Sequence, residues 1–195
     1  MSLETDFLVI GSGIAGLSYA LQVAPYGRVL IVTKKEKAEA STNYAQGGIA
    51  AVMSEIDSTE AHIHDTLETG YGLCHEPIVR KVITHGPHEI QRLVEWGVQF
   101  SRDRSGGYDL GREGGHSERR VLHAKDATGA EIEKVLLDRV KNSPNITILE
   151  HHFGIDLITN KKIGRAPLKG PLSCLGLYVL DRKNNVIKTI RTKVT

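Results

Sequence analysis

The 195-residue chain carries 25 basic and 23 acidic residues, a net charge of +2, and 40% apolar residues, enough to bury a core as one α/β domain or two at most. The near balance of charge gives no polyanion-binding signal, so no nucleic-acid partner is expected. The longest apolar runs, Phe7 to Ile14 and Val29 to Thr33, fall well short of the roughly 20 residues a membrane span needs, so no membrane partner is expected either.

Met1 to Asp6 holds two acids and no basic region ahead of an apolar core, unlike a secretory signal. Cys74 and Cys174 lie far apart and suit a reducing compartment better than a disulfide framework. The expected location is cytoplasmic.

Phe7 to Ile10 is a short apolar strand, and Ile14 to Ala24 follows with Leu17, Leu21 and Ala24 at helical spacing until Pro25 and Gly27 stop it. Arg28 to Thr33 reads as a second buried strand. Strand, glycine-rich turn, helix and strand in this order form the opening βαβ unit of a dinucleotide fold. The segment "STNYAQGGIAAV" reads as a loop running into a short apolar segment at Ile49. Asp57 to Gly70 and Glu76 to Trp96 read as helices. The second carries Ile78, Val82, Ile90, Leu93 and Val94 near helical spacing, with Gly86-Pro87 expected to kink or split it. Ser101 to Arg120 is rich in glycine and charge and reads as a loop or irregular hairpin. A helix from Thr128 places Ile132, Val135, Leu136 and Val140 on one face, a turn follows at Asn142 to Pro144, and Ile146 to Glu150 and Gly154 to Thr159 read as strands. Leu175 to Asp181 and Val186 to Ile190 form a hairpin around "RKNN".

Gly11, Gly13 and Gly16 make a GxGxxG fingerprint between the first strand and the first helix. Gly11 suits the tight turn, Gly13 the approach of backbone to a pyrophosphate, and Gly16 the close packing of helix on strand. A glycine-rich helix start that serves packing alone is the other reading. An acid for the ribose hydroxyls is expected roughly 20 residues on. The second strand ends instead in Thr33-Lys34, which argues against a plain NAD enzyme and for a cofactor held by other contacts.

Four stretches in order, "GSGIAGLSYALQ", "STNYAQGGIAAV", "REGGHSERRVLHAKDATG" and "NITILE", resemble the L-aspartate oxidases, within the flavoprotein group of the succinate dehydrogenase and fumarate reductase flavin subunits. The resemblance runs from about Asp6 to Ile190. It implies an α/β, Rossmann-like FAD-binding domain, with the whole chain as its N-terminal portion and the capping and helical C-terminal domains absent. It places Ser12, Gly13, Ile14 and Ala15 at the pyrophosphate, Lys34 on the adenosine side, and Ser41, Thr42, Asn43, Tyr44, Ala45, Gln46, Gly47 and Gly48 around the flavin end. Phe153 and Gly154 fall where the family contacts adenine through backbone. Taken alone, the second loop also reads as an ordinary glycine-rich turn.

In the dehydrogenase subunits this loop resembles "HTxxAQGG", whose histidine links the flavin covalently; Ser41 takes that place here, so FAD is expected to be non-covalent. In "GREGGHSERR" the resemblance makes Glu113 the group that orients aspartate through its ammonium, with His116 and Ser117 in the segment reaching the carboxylates. By composition alone the same loop is a solvated charged surface. The implied reaction is FAD-dependent oxidation of L-aspartate to iminoaspartate with dioxygen or fumarate as acceptor. It feeds quinolinate and hence NAD synthesis, with functional coupling to quinolinate synthase, and the fragment alone is expected to be inactive. A fumarate reductase-like or succinate dehydrogenase-like flavoprotein and a non-catalytic nucleotide-binding module remain as alternatives. The histidine pairs His62 and His64, His85 and His88, and His151 and His152 lack the further ligands a zinc site uses, so no metal is expected.

Overall fold

The structure is a computed structural model that describes residues 2–125, 127–164 and 171–195. Asp126, within the third resembling stretch, lies outside them. The chain divides into two compact units, Met1–Thr42 with Leu136–Thr195, and Asn43–Val135.

The first unit is built on a six-stranded sheet in the order β6-β2-β1-β9-β8-β7. Strands β1 (Ser2–Ile10), β2 (Val29–Val32) and β6 (Ile146–Leu149) run parallel, with helix α1 (Ile14–Val23) as the β1 to β2 crossover. Strands β7 (His152–Thr159), β8 (Cys174–Asp181) and β9 (Val186–Val194) form an antiparallel meander. Strand β2 reads Val-Leu-Ile-Val and is buried throughout, as a strand covered on both faces must be. Leu8, Leu30, Val32, Leu177, Val179 and Ile190 form the core of this sheet.

Strands β1 and β9 run well past their expected bounds. Strand β1 begins at Ser2, because Ser2 to Phe7 pairs with Thr189 to Val194 of β9 while Phe7 to Ile10 pairs with β2. Backbone pairing, not an apolar run, makes its polar first half a strand. Likewise β9 continues past Ile190 to Val194, where β9 itself pairs in parallel with β1 beyond the end of its antiparallel pairing with β8.

In the second unit, helices α2 (Thr59–Thr69) and α3 (Glu76–Trp96) accompany a small antiparallel sheet, β3 (Ile49–Ala50), β5 (Val121–Leu122) and β4 (Leu110–Gly111). Ser58 caps α2 by accepting a hydrogen bond from the Ala61 amide. Helix α3 is neither split nor ended at Gly86-Pro87: it runs unbroken with Pro87 inside. Its buried residues are Ile83, Ile90 and Leu93, whereas Ile78 and Val82, which share the helical spacing, are 55% and 64% exposed. The expected stripe was therefore rotated at its N-terminal end. Arg102 and Tyr108 bridge within the 101–120 segment, which is an irregular hairpin leading into β4. Helix α4 (Thr128–Lys141) supplies its first turns to this unit and its last residues to the first. No helix among the described residues is long and apolar enough to cross a membrane.

Candidate functional site

A cleft of about 420 Å³ opens in the first unit at the carboxyl ends of β1 and β2, where ligands of open parallel sheets bind. Its floor is the turn from Gly11 to Gly13. Gly11 adopts φ +109°, a region that favours glycine, and its amide donates to Val32 O at 2.9 Å. Gly16 fixes α1 against this turn: a Cβ there would lie 2.2 Å from Gly11 O and 3.1 Å from Val9 Cγ1. The packing role expected of Gly16 is thus visible in the geometry.

Helix α1 starts at Gly13 with no side-chain cap and no acidic residue in its first turn. Its N-terminal amides therefore present partial positive charge to the cleft, with one of them, Ile14 N–H, donating to Thr42 Oγ1 at 3.1 Å. An uncapped helix start, a glycine turn and an adjoining cleft of this volume fit the pyrophosphate of a dinucleotide.

The cleft brings together Gly11, Ser12, Gly13, Lys34, Ser41 and Thr42, and on its other wall Phe153 and Gly154 at the start of β7. Ala15 is exposed on the first turn of α1. Ser12 is buried, and its hydroxyl works inside the protein: Oγ donates to Lys37 O at 2.9 Å and lies 3.2 Å from Thr33 Oγ1. Beside Phe153, the His152 ring is buried near Asp181, whose carboxyl is held well below the usual carboxylate range by Lys188 and Asn184.

The loop Asn43 to Gly48 belongs to the second unit and has no regular structure, with Tyr44, Ala45, Gln46 and Gly47 exposed. The glycines of its "QGG" are not equivalent. A Cβ at Gly48 would lie 2.2 Å from Leu122 O, so this glycine lets the loop pack on β5; around Gly47 nothing lies within 4 Å. Gly129 N–H, in the first turn of α4, holds the loop through Ala45 O at 3.0 Å. Glu133, one turn further on, is 1% exposed with neither carboxylate oxygen hydrogen bonded. Burial pushes its carboxyl up to about 7, with the Asn43 amide opposing.

Around the 111–120 segment, Arg120 is fully buried. Its Nε and Nη2 donate to the two carboxylate oxygens of Asp57 at 2.9 and 2.8 Å, and Nη1 donates to Asp65 Oδ2 at 2.6 Å. Ser117 gives both its amide and its hydroxyl to the same Asp65 oxygen, at 2.7 and 2.8 Å. Burial opposes charge on Asp65, yet the bonds from Ser117 and Arg120 outweigh it and hold the carboxyl down at about 2.

His116 stands edge-on to His62, with ring centroids 5.9 Å apart; both Nδ1 atoms are buried without a partner, and burial lowers the His62 pKa. Gly115, at φ +83°, passes Thr69 so closely that a Cβ would meet its Oγ1 at 2.6 Å. Glu113 is exposed, and its carboxylate makes no hydrogen bond or ion pair among the described residues. Of the three residues expected at the substrate, Glu113 is thus free, His116 is partly enclosed, and the Ser117 hydroxyl is committed to Asp65.

Sequence reasoning missed Asp57, Asp65, Arg120 and Glu133. The first three form an ion cluster in which Arg120 lies 63 and 55 positions from its two acids, which no local spacing announces. Glu133 had a signal: an acid among Ile132, Leu136 and Val140 on the helix pattern.

Over residues 6–195 the chain matches the family model described as FAD binding domain. It is 53% identical over 190 residues to L-aspartate oxidase 2-b, chloroplastic, of Nicotiana tabacum, covering 97% of this chain and 28% of that protein. To the L-aspartate oxidase of Vibrio cholerae it is 48% identical over 195 residues, covering 97% of this chain and 36% of the relative. Among solved structures, an E. coli quinol fumarate reductase FrdA mutant superimposes with a TM-score of 0.89 at 28% identity, covering 100% of this chain and 32% of that one. The chain therefore spans about a third of the length of the curated relatives it matches. With the glycine turn, the uncapped helix and the cleft in place, the match over nearly its whole length establishes that the chain belongs to the FAD binding domain family.

Proposed function

We propose that this chain is the FAD-holding portion of an L-aspartate oxidase, which converts L-aspartate to iminoaspartate with dioxygen or fumarate as the final acceptor. The observation that carries this reading is the 53% identity to a plant L-aspartate oxidase along 97% of the chain. When bound, FAD supplies the two-electron acceptor for the hydride leaving Cα of the substrate. Everything else falls to protein groups. The first turn of α1 and the Gly11 to Gly13 backbone would hold the pyrophosphate, with Lys34, Phe153 and Gly154 on the adenosine side and Ser41 and Thr42 toward the flavin; the resemblance extends the flavin-end segment through Gly48. The Glu113 carboxylate, unpaired among the described residues, accepts the charged hydrogen bond of the substrate ammonium. Ser117 and Arg120 keep the backbone of the 111–120 segment in one arrangement through Asp65 and Asp57, so that His116 and Glu113 are presented from a fixed base.

FAD would bind without a covalent link, because Ser41, which lines the cleft and cannot form a histidyl bond, takes the sequence position of the dehydrogenases' linking histidine. The same proposal includes release of iminoaspartate toward quinolinate synthase, a cytoplasmic location and a role for the chain as the N-terminal portion of its domain. The likeness to quinol fumarate reductase favours fumarate as one acceptor.

The test uses the full protein that contains this chain. L-Aspartate should reduce the bound flavin under nitrogen and yield hydrogen peroxide in air, while acid precipitation should leave the yellow chromophore in solution. Reduction by succinate and not by L-aspartate, with flavin in the pellet, would establish the dehydrogenase reading instead.

A further inference from the structure

The dinucleotide fold places an acid at the end of the second strand to take the adenosine ribose hydroxyls. Here that strand ends at Val32 and is followed by Thr33, whose hydroxyl faces Ser12 Oγ at 3.2 Å, and by Lys34. We propose that Glu39, delivered back into the cleft by the turn that follows, is the ribose acceptor that the strand end lacks; this rests on the reading that the cleft holds FAD.

Among the described residues, Glu39 is the one carboxylate lining the cleft, together with Gly11, Gly13, Lys34 and Phe153. Its place is built, since the turn is tied down residue by residue. Thr33 O accepts from the His152 amide at 2.9 Å, Lys34 O from Arg182 Nη1 at 3.2 Å, and Lys35 O from the His151 amide at 3.1 Å. Lys37 is held on both sides: its carbonyl accepts from Ser12 Oγ at 2.9 Å and its amide donates to Glu150 Oε1 at 2.8 Å. The Glu39 amide then closes the turn onto Glu36 O at 3.1 Å.

Ser12, sitting between two fingerprint glycines, thus acts on the adenosine side by bracing the turn that carries Glu39. The Glu39 carboxylate pairs through Oε1 with Lys35, an exposed contact of the kind that contributes little and yields readily. A carboxylate has about four lone-pair sites, so the pair leaves acceptors for two vicinal hydroxyls. The chemistry recognised is a cis-diol of an adenine nucleotide.

The experiment pairs a protein change with a ligand change in the full protein stripped of FAD. FAD affinity is read from flavin fluorescence quenching, and the competitors are ADP and 2′,3′-dideoxyadenosine 5′-diphosphate. Glu39→Ala should weaken FAD and ADP by about tenfold or more, the loss expected for hydrogen bonds to a charged group. Glu39→Gln, which keeps one acceptor oxygen, should fall between. The dideoxy competitor should bind the parent and Glu39→Ala within twofold of each other. Equal weakening of ADP and the dideoxy compound would make Glu39 a brace of the turn and overturn the assignment, as would unchanged ADP affinity. A parent protein that takes up no FAD would overturn the reading of the cleft and this assignment together.

Discussion

In the cleft at the ends of β1 and β2, the working groups are backbone amides at an uncapped helix start, glycines without side chains and a carboxylate at the surface. Around Arg120 the reverse holds: one guanidinium and two carboxylates lie buried, and the Ser117 amide and hydroxyl are both spent on Asp65. A ligand carrying its own charges needs donors left open, so the first region leaves them open. A segment that must hold a shape among glycines needs its polar groups closed on one another, so the second region closes them. Substitutions should therefore act on binding in the first region and on stability in the second.

The largest expected effect is Arg120→Ala, which strands Asp57 and Asp65 and should cost about 3–5 kcal/mol in urea denaturation. A loss under 1 kcal/mol would mean that water replaces the guanidinium and that the network is not a closed one. Next comes Gly16→Ala, whose methyl would lie 2.2 Å from Gly11 O. It should cost about 1–3 kcal/mol and reduce flavin content, since the turn must move to admit it. Full flavin occupancy with unchanged stability would break the link drawn between helix packing and the glycine turn.

Glu133 sharpens the contrast from a third side, as a buried carboxyl with neither an open role nor a closed network. Its folded value of about 7 lies above its ordinary 4.5, so folding holds the proton more tightly than the unfolded chain does. Its contribution is complete below pH 4.5 and is lost as pH rises through 7. Glu133→Gln should remove that decline and raise stability at pH 8 by about 1–2 kcal/mol relative to the parent. Parallel pH profiles for the two proteins would show that a partner satisfies the charged form. The smallest effect is Ser12→Ala, which removes the bond to Lys37 O and should cost about 0.5–1.5 kcal/mol in unfolding. Its loss in FAD affinity should exceed its loss in stability, because the turn carrying Glu39 is slackened; equal losses would assign Ser12 to the fold alone.

Much of the first unit was legible because its signals are local. The run Val29 to Val32, the glycine spacing after Ile10 and the Leu175 to Ile190 hairpin each declare themselves within a short stretch of sequence. What stayed hidden depended on distant partners. Ser2 to Thr5 is polar and becomes strand through β9. Ile78 and Val82 satisfied a helical period but lie off the face that Ile83, Ile90 and Leu93 bury. At the cleft, the lining residues Gly11, Ser12, Gly13, Lys34, Ser41 and Thr42 could be picked out from sequence, whereas the commitment of Ser117 to Asp65 and the return of Glu39 to the cleft required the path of the backbone.

The pairing of Ser2 to Phe7 with Thr189 to Val194 also bears on how the protein is made. During synthesis, Ser2 to Phe7 of β1 is made well over a hundred residues before Thr189 to Val194, the neighbour that pairs with it. Closing so long a loop delays that contact in any folding route. Until then, one edge of β1 offers unpaired amides and carbonyls to other nascent chains. The residues from 43 to 135, contiguous in sequence, can meanwhile gather their own core. A translation pause after residue 135 would lengthen the exposure of that open edge, and a chaperone that covers short strands would be needed longest there.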